Sequence, residues 1–190
     1  MTDSTIAYHF VGSTLRDGRP VPENNFKLVH EGPVKICNSG LHASLSAFDA
    51  MFYTPGNVLC KVQCSGIVKR HDDKFVCRER TILQRFDATE LMDSFARECA
   101  LSVIHLWDAP EIVIKYLKTG DPKLKDASRA ASDAARDSSW DSARDAAWYA
   151  ARVAAWDAAY AARAASRDAT KEKDRIRFDG LVEQKFNSHQ

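Results

Sequence analysis

The sequence lacks any apolar run close to the about 20 residues that a membrane-spanning helix needs. Its start, MTDSTIAYHF, is too polar for a signal peptide. Its five cysteines are an odd number, and without a secretion signal they are expected to be free thiols in a reducing compartment. The composition therefore predicts a cytoplasmic protein with no membrane segment and no disulfides.

The chain also has almost no net charge, because 27 Lys and Arg residues face 26 Asp and Glu residues, giving +1. Binding to nucleic acid through its phosphates requires a basic surface, so nucleic acid is not an expected partner. No Gly-rich phosphate loop, GxSxG elbow or HExxH helix is present. Function must therefore be sought in residues that the fold brings together.

Residues 1–86 alternate short β-type runs with turn signals, which predicts a small, mainly antiparallel α+β domain. Ser46–Tyr53 is predicted to be a short helix capped by Ser44 or Ser46. A helical extension follows over residues 87–120, with Pro110 beginning its second helix and Gly120 ending it. The predicted strands are Ile6–Val11, Val34–Cys37, Leu41–Ala43, Asn57–Val68, Phe75–Cys77 and Thr81–Phe86.

Residues 121–175 change composition abruptly, with pairs of small residues, mostly alanine, recurring every fourth position. They predict one long helix, or a helical hairpin broken at residues 137–139, followed by a C-terminal segment over residues 176–190. Trp140, Trp148 and Trp156 add large apolar side chains, which soluble proteins seldom leave exposed. We therefore predict that they are interaction residues, buried against the α/β domain, another copy of the chain or a host protein.

The cysteines and histidines do not predict a metal site. Cys60 and Cys64 lie four residues apart on a predicted strand, about 13 Å from each other, which is too far to share one zinc ion. Cys37 and His42 can meet across a turn, but no second pair has ligand spacing. A nucleophilic role for Cys37 also lacks a local oxyanion hole or an orienting carboxylate.

Polar residues follow one another along the predicted strands in a definite order: His9 in YHF, His42 in SGLHAS, Tyr53 after the short helix, then VLCKVQCSG and DDKFVC. Over about residues 8–86 this order resembles the catalytic core of the diphtheria-toxin-type ADP-ribosyltransferases, which include poly-ADP-ribose polymerases. The resemblance implies that His9 binds the NAD ribose and that His42 and Tyr53 stack on the nicotinamide. Asp73 would stand in for the catalytic glutamate.

Nearly the whole chain also resembles an uncharacterised phage and prophage family marked by GLHAS, a later DK and an Ala-rich tail with tryptophans. The expected function is an ADP-ribosyltransferase-like domain that binds NAD or a related ADP-ribose nucleotide, with or without turnover, and needs no other cofactor. The alternative is a non-enzymatic, phage-encoded counter-defence protein. It would sequester a nucleotide signal or inhibit a host protein, and its Ala-rich helix would form an oligomer.

Overall fold

The computed structural model describes residues 4–15, 18–106, 108–138 and 169–188. Trp140, Trp148 and Trp156 lie outside these ranges. The chain divides into two compact units. The sheet unit comprises Met1–Thr89 and Glu172–Gln190, and the helical unit comprises Glu90–Lys171. All of the predicted ligand-binding residues belong to the sheet unit.

The sheet unit is built on one antiparallel sheet, which confirms the predicted α+β class. Its strands run in the order β1-β4-β5-β2, and β3 also pairs with β5. Their bounds are β1 Thr5–Val11, β2 Lys27–Val29, β3 Leu41–Ala43, β4 Val58–Arg70 and β5 Phe75–Asp87.

The sheet curls until its ends meet. Tyr8 of β1 donates its backbone N–H to the Ser44 carbonyl at 2.8 Å, and Ser44, just after β3, donates to the Tyr8 carbonyl at 2.9 Å. The inside of the curl holds a buried core that includes Ala7, Val11, Ala43, Cys60, Val62, Cys64, Phe75, Cys77 and Ile82. Cys60, Val62 and Cys64 share the face of β4 that points inward, because side chains at every second position of a strand lie on the same face.

Three strand predictions differ from the structure. Residues 34–37 were predicted as a strand but lead into a tight turn, in which Lys35 and Ser39 bond each other and Cys37 has a φ of 65°. Phe75–Cys77 and Thr81–Phe86 form one continuous strand, because the sheet accommodates the charged residues between them. The short β2 was missed, since only its central Leu28 is buried.

The helix that follows β3 was predicted correctly. It consists of α1 (Ala47–Ala50) and a 3-10 turn over Met51–Tyr53. The Ser46 hydroxyl caps it by accepting the Asp49 backbone N–H at 3.3 Å. This segment carries Tyr53 to the side of the sheet where β3 lies.

The helical unit contains most of α2 (Thr89–Ser102), together with α3 (Glu111–Thr119) and α4 (Lys125–Ser138). Its core includes Ala96, Ala100, Val113, Tyr116 and Leu117. Gly120 ends α3 in the left-handed conformation, as the Thr119-Gly120 pair predicted. None of the described helices is both long and apolar enough to cross a membrane.

The last described helix, α5 (Ala169–Asn187), runs across the boundary predicted at residue 175. From Glu172 onward this helix belongs to the sheet unit. Phe178, Val182 and Phe186 are buried at four-residue intervals along it. Phe178 meets Phe48 of α1 edge to face, with ring centroids 6.3 Å apart.

Polar contacts fix the position of α5 on the sheet unit. Asp179 accepts the Phe48 backbone N–H at 3.0 Å, near the start of α1. Glu183 accepts from the Lys61 ammonium at 2.8 Å and from the Tyr8 hydroxyl. Tyr8 directly precedes His9 on β1, and neighbouring strand residues point to opposite faces. The helix therefore braces the strand that carries His9 from the opposite side.

Candidate functional site

A cleft of about 940 Å³ opens between β1 and β3, which are joined by the Tyr8–Ser44 bridge. One wall is formed by β1 and the residues that follow it, and the other by the turn before β3 and β3 itself. Tyr53 and Lys74 also contribute to the lining. Small-molecule sites measure about 300–1,000 Å³, so the cleft is large enough for a sizeable ligand.

His9 and His42 both line this cleft, from opposite walls. His9 lies opposite Cys60 in the β1–β4 ladder, on the face that looks into the curl. The backbone N–H of Cys37 donates to Nε2 of His42 at 2.9 Å. Nε2 of His42 is therefore the acceptor in this bond. The two predicted histidines thus share one concave site.

The surroundings of His9 hold it neutral. The pKa of His9 is held well below its usual range. The largest cause is burial of the ring, followed by the nearby charge of Arg80 and by the electrostatic effect of His42. At pH 7 the ring therefore offers one N–H donor and one lone pair. That combination suits a hydroxyl group, which both donates and accepts.

The lowered pKa of His9 predicts a pH dependence of folding stability. The unfolded chain binds a proton at His9 below pH ~6.5, whereas the folded chain does not. The contribution of His9 to the free energy of unfolding is therefore fully present above that pH. It is lost as the pH drops toward the pKa of His9 in the folded chain, by up to about 1.4 kcal/mol per pH unit. Urea unfolding at pH 7.5, 6.5 and 5.5 measures this slope.

The variant His9→Gln should show a smaller slope between pH 6.5 and 5.5, whatever its absolute stability. His71→Gln is the matched control, because His71 is exposed in the turn between β4 and β5. Identical slopes for the wild type and His9→Gln would show that His9 is not the group responsible.

Arg80 is the least expected member of the site. Its residue is 4% exposed, it lines the cleft, and it lies opposite Cys64 in the β4–β5 ladder. Nη1 donates to the His42 carbonyl at 2.6 Å, but Nε is buried without a hydrogen-bond partner. Within the described residues no carboxylate pairs with it, and its electrostatic neighbours are the thiols of Cys60, Cys64 and Cys77. Burial lowers the pKa of Arg80, although a guanidinium keeps its proton in proteins.

The charged residues in the described lining of the cleft are all cationic. Arg19, Lys74 and Arg80 contribute cations, three histidines add further polar groups, and no Asp or Glu is among these residues. A buried charge without a counter-ion costs several kcal/mol, even after relaxation of the protein around it. The cleft is thus suited to an anionic ligand. In the part of the chain that the structure describes, no group of three His, Cys, Asp or Glu residues is arranged to hold a metal ion.

Tyr53 is one of the residues that line the cleft. Its hydrogen-bond partner, Asp73, lies in the turn between β4 and β5. The Tyr53 hydroxyl donates to Asp73 Oδ2, and the Lys74 ammonium lies 4.0 Å from the centroid of the Tyr53 ring. Burial and this bond to Asp73 raise the pKa of Tyr53. The structure therefore brings His9, His42 and Tyr53 together, whereas Asp73 holds Tyr53 and is not among the residues that line the cleft.

Sequence reasoning missed Arg80, although a signal was present. Arg80 stands two residues before Ile82, so on a continuous strand both point to the same face. Ile82 belongs to the core. A charged residue on the core-facing side of a strand is rare unless it has a partner, so its presence there indicates a function. Splitting β5 into two predicted strands concealed this alternation.

Part of the chain matches the model of one family, for which no activity is described. Residues 5–94 match the model of a family described as a domain of unknown function, DUF7666. The match covers slightly less than half of the chain, and it includes the whole sheet and every cleft residue described above, but not α5. No curated protein and no solved structure matches the chain.

Proposed function

We propose that the cleft binds NAD or a related ADP-ribose-containing nucleotide, and that the chain holds this ligand without turning it over. The observation that carries the proposal is Arg80, a buried guanidinium with an unpaired Nε in a cleft whose described lining contains no carboxylate. A pyrophosphate supplies the missing anion, and guanidinium–phosphate hydrogen bonds are among the strongest in proteins.

The other cleft residues suit the rest of such a ligand. The neutral His9 can both donate to and accept from a ribose hydroxyl. The His42 imidazole and the Tyr53 ring offer flat faces to a base, and Tyr53 is 42% exposed. These roles follow the resemblance to ADP-ribosyltransferases, with Arg80 added from the structure.

The electrostatics favour binding over catalysis. Cleavage of the nicotinamide bond develops positive charge on the ribose, and a transferase needs a carboxylate there to stabilise it. Arg80 and Lys74 would oppose that charge, and the Asp73 carboxylate accepts the Tyr53 hydroxyl. A protein that retains a nucleotide without consuming it lowers the free concentration of that nucleotide, which is the action of a sequestering protein.

The test is titration calorimetry of the full chain with ADP-ribose, NAD and adenosine. ADP-ribose and NAD should bind saturably, and adenosine at least tenfold more weakly, because it lacks the phosphates whose charged hydrogen bonds contribute about 1.5–3 kcal/mol each. Chromatography after incubation with NAD should detect no free nicotinamide.

Two results would contradict the proposal in different ways. Equal affinity for adenosine and ADP-ribose, or no binding of either, would remove the phosphate-binding role of the cleft. Nicotinamide release that disappears in the variant Asp73→Asn would establish a transferase or hydrolase instead of a binder.

A further inference from the structure

The mouth of the cleft carries an exposed thiol. Of the five cysteines, all described, Cys60, Cys64 and Cys77 are buried and Cys99 is partly buried, whereas Cys37 is exposed. Cys37 also lines the cleft, together with His42 and Lys74. A reagent that enters the cleft therefore meets this thiol first among the cysteines.

The backbone holds Cys37 in an unusual conformation. Its φ of 65° is left-handed, which is uncommon for residues other than glycine, asparagine and aspartate. Lys35 and Ser39 close the turn through two backbone hydrogen bonds with each other. The backbone N–H of Cys37 donates to Nε2 of His42. Residues kept in such conformations cluster at functional sites.

Two cationic groups accompany the thiol. The Lys74 ammonium lines the cleft beside Cys37 and interacts electrostatically with its thiol. Arg80, more than nine-tenths buried and with its Nε unpaired, lines the same cleft. A reagent with carboxylates would be concentrated at this thiol by both charges, whereas a neutral reagent would not.

We propose that Cys37 is a site of reversible modification by anionic low-molecular-weight disulfides, and that the resulting mixed disulfide occupies the cleft and blocks the nucleotide. The blocking step rests on the proposed function. In the exchange, Cys37 loses its proton and its sulfur attacks one sulfur of the disulfide. The old S–S bond breaks, a new one forms at Cys37, and the other half leaves as a thiol that takes up the proton. The disulfide is the only oxidant consumed.

The experiment compares glutathione disulfide, which carries net negative charge, with the neutral 2-hydroxyethyl disulfide. Mixed-disulfide formation on the full chain is followed by intact mass and assigned by peptide mapping. Each rate is divided by the rate of the same disulfide with N-acetylcysteine amide, an uncharged thiol, which removes the intrinsic reactivity of the disulfide without adding an electrostatic bias. The normalised preference for the anionic reagent should be roughly tenfold or more at low salt, should fall as salt is added, and should map to Cys37.

The variant Lys74→Met should lose most of this preference. Lys69→Met is the matched control, because Lys69 is an exposed lysine on β4 and is not among the residues lining the cleft. Cys37→Ser should remove the modification. A normalised preference near one, a preference unchanged in Lys74→Met, or modification chiefly at Cys99 would overturn the inference.

Calorimetry of the modified protein separates this inference from the proposed function. Glutathionylated protein should bind ADP-ribose at least tenfold more weakly than untreated protein, and dithiothreitol should restore binding. Unchanged affinity after complete modification would refute the blocking step. If untreated protein does not bind ADP-ribose while Cys37 shows the anion preference, the nucleotide proposal fails and the thiol site stands. If the protein binds the nucleotide but Cys37 shows no such preference, the thiol site fails and the nucleotide proposal stands.

Discussion

Replacing Arg80 with methionine is expected to weaken ADP-ribose binding about 10- to 150-fold, which corresponds to the ~1.5–3 kcal/mol of one charge-assisted hydrogen bond. The same change should alter the free energy of unfolding by less than about 1.5 kcal/mol. It removes the bond from Nη1 to the His42 carbonyl, but it also removes a buried charge that has no carboxylate partner in the described chain. Calorimetry and urea unfolding measure the two quantities.

Arg85→Met is the matched control on the same strand. Arg85 pairs with Glu23 at 2.8 Å and bonds the Pro22 carbonyl at 3.1 Å, and it is not among the lining residues. This variant should keep its affinity for ADP-ribose. It should lose at most about 1 kcal/mol of stability, because the Glu23 side chain that pairs with Arg85 is 90% exposed.

The stability of Arg80→Met decides between two accounts of the buried guanidinium. A loss above about 3 kcal/mol is typical of breaking a buried ion pair. It would mean that the chain itself supplies an anion to Arg80, so that the cleft does not require one from a ligand. A small loss of stability with a large loss of affinity is the signature of a binding residue.

Truncating Phe178 to alanine should lower the free energy of unfolding by about 3–5 kcal/mol, as for other large core aromatics. The side chain is 0% exposed and packs on Phe48, so its removal leaves a cavity between α5 and α1. Ile176→Ala is the matched control, since Ile176 lies on the same helix but is 65% exposed. That change should stay within about 0.5 kcal/mol.

Urea unfolding of the two variants therefore tests whether α5 is part of the sheet unit. Equal, small losses for Phe178→Ala and Ile176→Ala would contradict the docking of α5. Since α5 also bonds Tyr8 through Glu183, its loss should disturb β1 and, through that strand, the position of His9. ADP-ribose affinity in Phe178→Ala should fall at denaturant concentrations where the wild type still binds.

The local features of this fold were predictable because each depends on neighbours in the chain. The alternation from Val58 to Cys64 determines which residues of β4 face the core inside the curl, and it does so before any partner strand is known. Ser46 caps the short helix and Gly120 ends α3 for reasons of backbone hydrogen bonding alone. The Lys35–Ser39 turn was less predictable, since Val34 and Ile36 also suit a strand.

The site depended on contacts between distant residues, which local patterns do not encode. His9 and His42 meet because the sheet curls and closes through Tyr8 and Ser44. Whether Arg80 has a counter-ion depends on every segment that packs around it, and Asp73 is engaged by a tyrosine 20 positions away. The bond between Tyr8 and Glu183 spans 175 positions. The sequence by itself thus determined the core-facing residues of β4, the helix caps and the class of fold, whereas only the tertiary structure decided which charges pair and which one is left for a ligand. Pairing is a property of three-dimensional proximity, and spacing along a chain carries little information about it.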